Sequence, residues 1–214
     1  MTDQTQAGKD GDTEQRILQA ARKVFVARGT AGARVQEIAA EAGVNPALIH
    51  YYYRSKEGLA AAVFREAAGR LVPVVAGLFL SEAPIEQKVE QFIHLYIDAV
   101  RHSPFLPGYI VSELHHHQER QSTLREIARL APEGMAERAF ARLATDLEEA
   151  AASRGMRRIS AEQFITNVMA LAAFPFIARP ALTTAFGLDA EAFDRFLDER
   201  RAELPSIIIA GLRA

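Results

Sequence analysis

The chain has 214 residues, 49% of them apolar, with 25 basic and 27 acidic side chains and a formal net charge of −2. This composition is typical of a chain that folds, and the absence of cysteine excludes disulfides, thiolate metal sites and a cysteine nucleophile, while it suits the cytoplasm, where we expect the protein to act. No apolar run reaches the roughly 20 residues of a membrane-spanning helix, and the polar N-terminus is unlike a signal peptide.

Positive charge is concentrated in residues 15–58, which hold seven Lys or Arg and three acidic residues, net +4. Residues 1–14 and 59–214 each carry a net charge of −3. A basic block on an acidic chain is only a weak indication of a polyanionic partner, because the same excess is common on a solvated face. Residues 1–12 are polar and contain glycine, which predicts a disordered tail.

The first predicted helix follows Asp12, which can form a capping box with Gln15, and it ends at Gly29. Its apolar side chains recur at helical spacing. They are Ile17, Ala20, Ala21, Val24 and Phe25.

Two short helices joined by a tight turn are predicted next. The first covers about 35–42 and is ended by Gly43, and the second has Asn45 as N-cap and Pro46 at its first position. A further helix begins near Ser55. Such a pair has the shape of a helix-turn-helix, whose second helix can enter a major groove of DNA. An ordinary helical hairpin with aromatic core residues explains the spacing equally well.

Helical apolar stripes continue to the C-terminus, with breaks at "SPFLPG" (103–108), Pro132 and Ser160. Pro175 is expected to end or kink its helix, and Pro205 to interrupt the last one. The total is nine or ten helices without strand alternation, so the predicted fold class is all-α.

The stretches "RILQAARKVFVARG" (16–29) and "VQEIAAEAGVNPALIHYYYRSKEGL" (35–59) resemble the DNA-binding domain of the TetR family of bacterial transcriptional regulators. The resemblance covers roughly residues 13–60. It implies an N-terminal three-helix helix-turn-helix domain at 13–60 and a larger C-terminal helical domain for ligand binding and dimerisation at 61–214.

The same resemblance implies a sequence-specific DNA-binding regulator. The expected protein is a ligand-responsive repressor that binds a palindromic double-stranded operator as a homodimer and responds to an unknown small-molecule effector. The alternative is a helical ligand-binding or scaffold protein that uses the hairpin for protein contacts.

The family's DNA-binding positions carry over to ten residues of this chain. Gln36 lies where a base edge is contacted, Lys56 matches a phosphate-binding lysine, and Arg34 replaces a common Thr cap. Tyr53 replaces a common Phe, so we expect a core residue whose hydroxyl needs a partner. The predicted DNA-binding residues are Arg34, Gln36, Asn45, Pro46, Ala47, Leu48, His50, Tyr51, Tyr52 and Lys56.

Candidate ligand-pocket residues are fewer and less specific. Glu113 lies four residues beyond Tyr109 beside an apolar stripe, where a carboxylate needs a partner, although a satisfied structural Glu fits as well. Aromatic residues at helical spacing are usually core. The candidates are Phe92, Tyr96, Tyr109, Glu113, His117, Phe164, Asn167 and Phe176.

Neither a metal site nor an enzyme is predicted. Consecutive histidines in "ELHHHQER" (113–120) point about 100° apart on a helix and cannot all bind one ion, although Glu113 and His117 could share one. The chain lacks a Gly-rich phosphate loop and a nucleophile elbow, and we expect no cofactor.

By order, helices at about 133–152 and 160–178 match the pair that forms the family's dimer interface.

Overall fold

The structure is a computed structural model that describes residues 3–116, 127 and 129–213, with the backbone alone at 3–10 and 113–116. Ten α-helices form this part of the chain, which confirms the all-α prediction. They are α1 (Asp3–Gly32), α2 (Val35–Ala42), α3 (Pro46–Tyr53), α4 (Lys56–Leu80), α5 (Ile85–Arg101), α6 (Leu106–His116), α7 (Met135–Ser153), α8 (Ala161–Ile177), α9 (Arg179–Phe186) and α10 (Ala190–Ala210).

Helix α1 differs from its prediction at the start. It begins at Asp3 and so includes positions assigned to the N-terminal tail, and the predicted N-cap at Asp12 is wrong. Once the buried turns around Ile17 are formed, each preceding residue adds one hydrogen bond as it is fixed, so the helix extends without the cost of a new nucleus. The predicted break at Gly29 is confirmed, because its backbone leaves the helical conformation there.

The ends of α2 and α3 follow from local chemistry. The Arg34 N–H donates to Glu37 Oε2 at 3.3 Å, which is the N3 half of a capping box, and the Glu37 N–H donates to the Arg34 carbonyl at 3.1 Å. Gly43 ends α2 in the left-handed conformation, with φ 63°. Asn45 Oδ1 accepts from the Ala47 N–H at 2.9 Å, so the predicted N-cap of α3 is confirmed.

Helix α4 runs through both hydrophobic cores. Its first part, with Leu59 and Phe64, packs with α1, α2 and α3, and this N-terminal core extends along α4 to Ala68. Its second part, with Leu78 and Phe79, packs against the C-terminal core of α5, α7, α8 and α10. The predicted domain boundary at residue 60 therefore falls inside a continuous helix.

Prolines inside helices are tolerated more than expected. Pro73 lies within α4 and Pro175 within α8, which continues to Ile177. Pro205 does not interrupt α10, which continues to Ala210. Pro175 and Pro205 are buried, and burial of apolar surface offsets the one backbone hydrogen bond that each proline removes.

Among the described residues, no single helix has both the length and the apolar composition to cross a membrane. Helices α8 and α9 reach that threshold only as a pair, and a bend of 69° separates them.

Candidate nucleic-acid interface and C-terminal cavity

The predicted DNA-binding residues cluster on and beside the α2–α3 pair. Seven of the ten are exposed: Arg34, Gln36, Asn45, Pro46, Ala47, His50 and Tyr51. Leu48, Tyr52 and Lys56 are partly buried. Because Asn45 uses its carbonyl oxygen as the cap of α3, its amide nitrogen remains available at the exposed tip of the helix.

The three consecutive tyrosines have different environments. Tyr51 is 68% exposed, whereas Tyr53 is buried in the N-terminal core. The Tyr53 hydroxyl donates to the Glu14 carbonyl at 3.2 Å, and burial, with the nearby Glu14 charge, raises the pKa of Tyr53. Tyr52 packs edge-on against Tyr51 with ring centroids 5.0 Å apart. The predicted core position of Tyr53 is confirmed, and Tyr51 is the most accessible aromatic residue of the run.

His50 is held in one ring orientation by the end of its own helix. Its Nδ1 lies 3.1 Å from the carbonyl oxygen of Arg54, which can only accept a hydrogen bond. The neutral ring is therefore protonated at Nδ1, and Nε2 is left as the outward acceptor.

Most cations of the basic block have partners within the protein. Three of them form ion pairs with carboxylates: Arg22 with Glu66, Lys23 with Glu41, and Arg28 with Glu37. Two others bind backbone carbonyls, Arg16 at Ala42 and Gly43 and Lys56 at Ala31 and Ala33. Within the described residues, only Arg34 and Arg54 of this block have side chains without an ion pair or hydrogen bond. Both are exposed, one before α2 and one after α3.

Arg54 has a strained backbone and was missed by the sequence analysis. Its φ of 68° and ψ of −42° are rare for a residue with a Cβ. The Ser55 N–H donates to the Tyr53 carbonyl at 2.8 Å, which makes Arg54 the central residue of a classic γ-turn. This one-residue turn redirects the chain from α3 to α4 and leaves the exposed Arg54 at the C-terminal end of α3.

The tight junction depends on Gly58. Its N–H is capped by Ser55 Oγ at 3.0 Å, and a Cβ at position 58 would clash with the Tyr53 carbonyl oxygen. A glycine is needed because the first turn of α4 approaches the end of α3 so closely.

A cavity of about 350 Å³ lies between α4, α5, α7 and α8 in the C-terminal core. Three predicted pocket residues line it, namely Phe92, Tyr96 and Phe164. The rings of Phe79, Phe92 and Tyr96 form a row with centroids 5.9 and 5.7 Å apart. The exposed Phe140 and Ile165 also line the cavity, so its mouth lies between α7 and α8.

The other predicted pocket residues do not line this cavity. Tyr109 of α6 packs against Phe64 of α4 in the N-terminal core, with ring centroids 5.5 Å apart. Asn167 lines a separate pocket of about 310 Å³ between α8 and α10, and Phe176 is buried in the C-terminal core. The Glu113 side chain and His117 lie outside the described residues.

A buried ion pair adjoins the cavity. Lys88 is completely buried, and its Nζ lies 2.5 Å from Asp146 Oδ2 and 2.9 Å from the Phe79 carbonyl oxygen. Asp146 Oδ1 in turn accepts from Arg142 Nε at 2.8 Å. This network joins α4, α5 and α7 and provides hydrogen bonds to both buried charges.

Residues 17–63 match the model of the family described as bacterial regulatory proteins, tetR family. The HTH-type transcriptional repressor NicS of Pseudomonas putida is 32% identical over 119 residues, which are 54% of this chain and 56% of NicS. The uncharacterized HTH-type transcriptional regulator TtgW, also of Pseudomonas putida, is 35% identical over 98 residues, which are 46% of this chain and 69% of TtgW. The chain belongs to the TetR family.

The solved structure of HlyIIR, a hemolysin II transcriptional regulator, shares the fold of this TetR-family protein. The two align over 96% of this chain and 99% of HlyIIR with a TM-score of 0.61 and 24% sequence identity. The sequence alignments to curated relatives such as NicS span only about half of those proteins. The proteins that match are named as transcriptional regulators.

Proposed function

We propose that this TetR-family protein is a sequence-specific DNA-binding regulator, a ligand-responsive repressor that binds a palindromic operator as a homodimer. The observation that carries the proposal is the capped, exposed N-terminal tip of α3, together with two exposed cations without partners, Arg34 before α2 and Arg54 after α3. A helix presented in this way can enter a major groove while arginines at the outer ends of the helix pair bind phosphates.

The residues have distinct roles in this proposal. Gln36 pairs with a base edge, and Tyr51 reaches a phosphate or a base from the accessible end of α3. Pro46, Ala47 and Leu48 offer apolar contact and no hydrogen-bonding side chain, so DNA shape contributes to the choice of sequence. Lys56 already binds two carbonyls and reaches phosphate with its remaining N–H, which adds a sequence-independent contact.

The proposed dimer interface involves α8 and α10. Large apolar side chains are exposed there: Leu171, Phe174 and Ile177 on α8 and Ile207 on α10, between 39% and 57% accessible. Such a surface favours association of two copies in a closed symmetric dimer. The helix at 133–152, which the sequence order matches to the family's interface, presents its exposed Phe140 to the mouth of the cavity, so we propose α10 as the partner of α8 in the interface.

Ligand response is proposed to act through α4. This helix begins at Lys56 beside the DNA-binding surface and lines the cavity with Leu71, Val75 and Phe79. A ligand that binds one position of α4 more tightly than another shifts the equilibrium between two dimer shapes. The effect on DNA affinity is then a coupling free energy between two separate sites.

A gel shift with DNA flanking the protein's own gene tests the proposal. We expect binding to a palindrome that weakens steeply with salt, and loss of binding when Arg34 and Arg54 are both replaced by alanine. Arg158→Ala is the matched control, because Arg158 is an exposed arginine of the C-terminal region. Absence of salt-dependent binding to any palindrome would instead favour a ligand-binding or scaffold protein.

A further inference from the structure

We propose that the protein has a second ligand site, separate from the C-terminal cavity, which binds a small anion with an apolar body. The site is a pocket of about 490 Å³ at the place where α1 meets α4 and α5. Arg22 of α1 therefore lies beside residues of the C-terminal part of the molecule, such as Leu95 of α5. Neither the DNA-binding surface nor the C-terminal cavity explains the polar residues of this pocket.

The floor of the pocket is apolar, and two helices form it. Helix α4 contributes Ala67, Leu71 and Val74, and α5 contributes Leu95 and Ala99. Val74 is 51% exposed, so a ligand in the pocket covers apolar surface that otherwise contacts water. Removal of that surface from water favours a ligand with an apolar body.

Positive charge is in excess where α1 faces α4. Arg22 and Arg70 both line the pocket, and both donate to the same oxygen of Glu66, at 2.8 and 3.0 Å. Two cations therefore share one carboxylate, which occupies one N–H of each guanidinium group. Burial alone would raise the pKa of Glu66, but the two guanidinium groups lower it overall. The N–H groups that Glu66 leaves free can bind the anionic group of a ligand.

The acidic residue of the pocket does not cancel this excess. Asp98 lines the pocket, but Arg201 of α10 already binds its carboxylate, with Nε–Oδ1 and Nη2–Oδ2 distances of 3.1 Å. His102 is either neutral or positively charged, so it adds no negative charge to the lining. Three arginines therefore stand against two carboxylates in this region, which favours an anion over a cation.

Ser103 provides a second polar contact, just beyond the end of α5. It lines the pocket and is only 4% exposed. Its N–H donates to the Val100 carbonyl and its carbonyl accepts from Leu106, both at 3.0 Å, so the backbone is satisfied. The hydroxyl has no hydrogen-bond partner among the described residues. It is not among the fully enclosed unpartnered atoms of those residues, which are all arginine Nε atoms, so it is accessible from the pocket. Such a hydroxyl gains most from a ligand that accepts its hydrogen bond.

Charge, apolar surface and size together define the ligand class. The ligand carries a carboxylate or phosphate group that binds the arginines and Ser103, and its apolar body lies on the floor between α4 and α5. A molecule such as benzoate, with about nine non-hydrogen atoms at about 30 Å³ each, fits within the volume of the pocket.

Four probes of similar size test this class on the full chain in a buffer without phosphate: benzoate, phenyl phosphate, benzyl alcohol and benzylammonium. Methyl NMR spectra identify the pocket that each probe enters, because Val74 and Leu95 line this pocket, whereas Leu143 and Val168 line the C-terminal cavity. We expect the two anions to shift the Val74 and Leu95 signals, and the tighter of the two identifies the anionic group.

At Val74 and Leu95, benzyl alcohol should bind at least about tenfold more weakly than the tighter anion, because it lacks charge-assisted hydrogen bonds. Benzylammonium should bind weakest of the four. Equal affinity of benzyl alcohol and both anions at these two residues would overturn the inference. Shifts of Leu143 and Val168 alone would overturn it as well.

Arg70→Gln tests the charge at an exposed position. We expect the affinity for benzoate to fall about tenfold, in the range of one charge-assisted hydrogen bond, and the affinity for benzyl alcohol to stay unchanged. Arg195→Gln is the matched control, because Arg195 is equally exposed and forms the same i,i+4 ion pair, with Glu191. Equal effects of the two variants would refute a specific contact of Arg70 with the anion.

Ser103→Ala tests the contact at the end of α5. It removes the hydroxyl and keeps the shape of the pocket, so the affinity for benzoate should fall about tenfold. An unchanged affinity would show that the anion does not reach Ser103 and would overturn the proposed geometry. None of these titrations contains DNA, so their outcome is independent of the proposed regulator function.

Discussion

Replacing Arg54 with glycine is expected to stabilise the fold and weaken DNA binding at the same time. The γ-turn conformation of Arg54 costs a residue with a Cβ about 1–3 kcal/mol. Glycine avoids this strain, but it loses more conformational entropy on folding, which costs about 0.5–1 kcal/mol. The net gain in the free energy of unfolding is therefore about 1 kcal/mol. For a chain of this length, that raises Tm by about 2–4 °C.

Arg54→Gly also removes one proposed phosphate contact from each protomer. Each contact contributes about 0.9 to the slope of log affinity against log salt, so a dimer should lose about 1.8. Arg54→Ala separates the two effects, because alanine removes the charge but keeps the strain. It should lower the slope equally and leave Tm close to that of the original protein.

Urea or thermal unfolding and gel shifts at several salt concentrations measure both quantities. Arg158→Ala controls for loss of an exposed arginine. An unchanged salt slope in both Arg54 variants would refute the phosphate contact, and equal stability of the glycine and alanine variants would refute the strain.

Three further outcomes are expected. Lys56→Ala should weaken binding to every DNA sequence, whereas Gln36→Ala should relax preference at one base position; equal losses on all sequences would make Gln36 a positioning residue. Asp146→Ala should lower the free energy of unfolding by about 3–5 kcal/mol, because it leaves the buried Lys88 without its ion pair. The double variant Lys88→Met with Asp146→Leu should restore most of this loss. Urea unfolding at one chain concentration measures both variants. Phe174→Glu should yield monomers in light scattering; an unchanged dimer would place the interface elsewhere.

Features that depend on residues close together in the chain were the ones that the sequence predicted best. Gly43, Asn45 and Pro46 set the ends of α2 and α3 through their own backbone and side-chain chemistry, and these helix ends were located correctly. The inward position of Tyr53 was also predictable, because one residue along a helix is enough to change the face.

Features that depend on how helices pack against each other were missed. The γ-turn at Arg54 exists because the first turn of α4 packs against the end of α3, and the residue type at position 54 does not indicate this packing. The basic block was read as a net charge, yet most of its cations are paired inside the protein, as in Arg22 with Glu66. Spacing identified Tyr109 as an inward residue but could not tell which of two cores it joins.

Pro73 makes helix α4 easier to bend at the point where the helix reaches the cavity. Proline has no N–H to donate to the carbonyl four residues earlier, so one hydrogen bond of the helix is missing there. From Lys56 to Val72 the helix is a stiff arm of about 25 Å at 1.5 Å per residue. A tilt of about 5° around this pivot moves its far end by about 2 Å. In the proposed dimer two such arms would move together, so a small displacement in each cavity would change the separation of the two proposed DNA-binding surfaces.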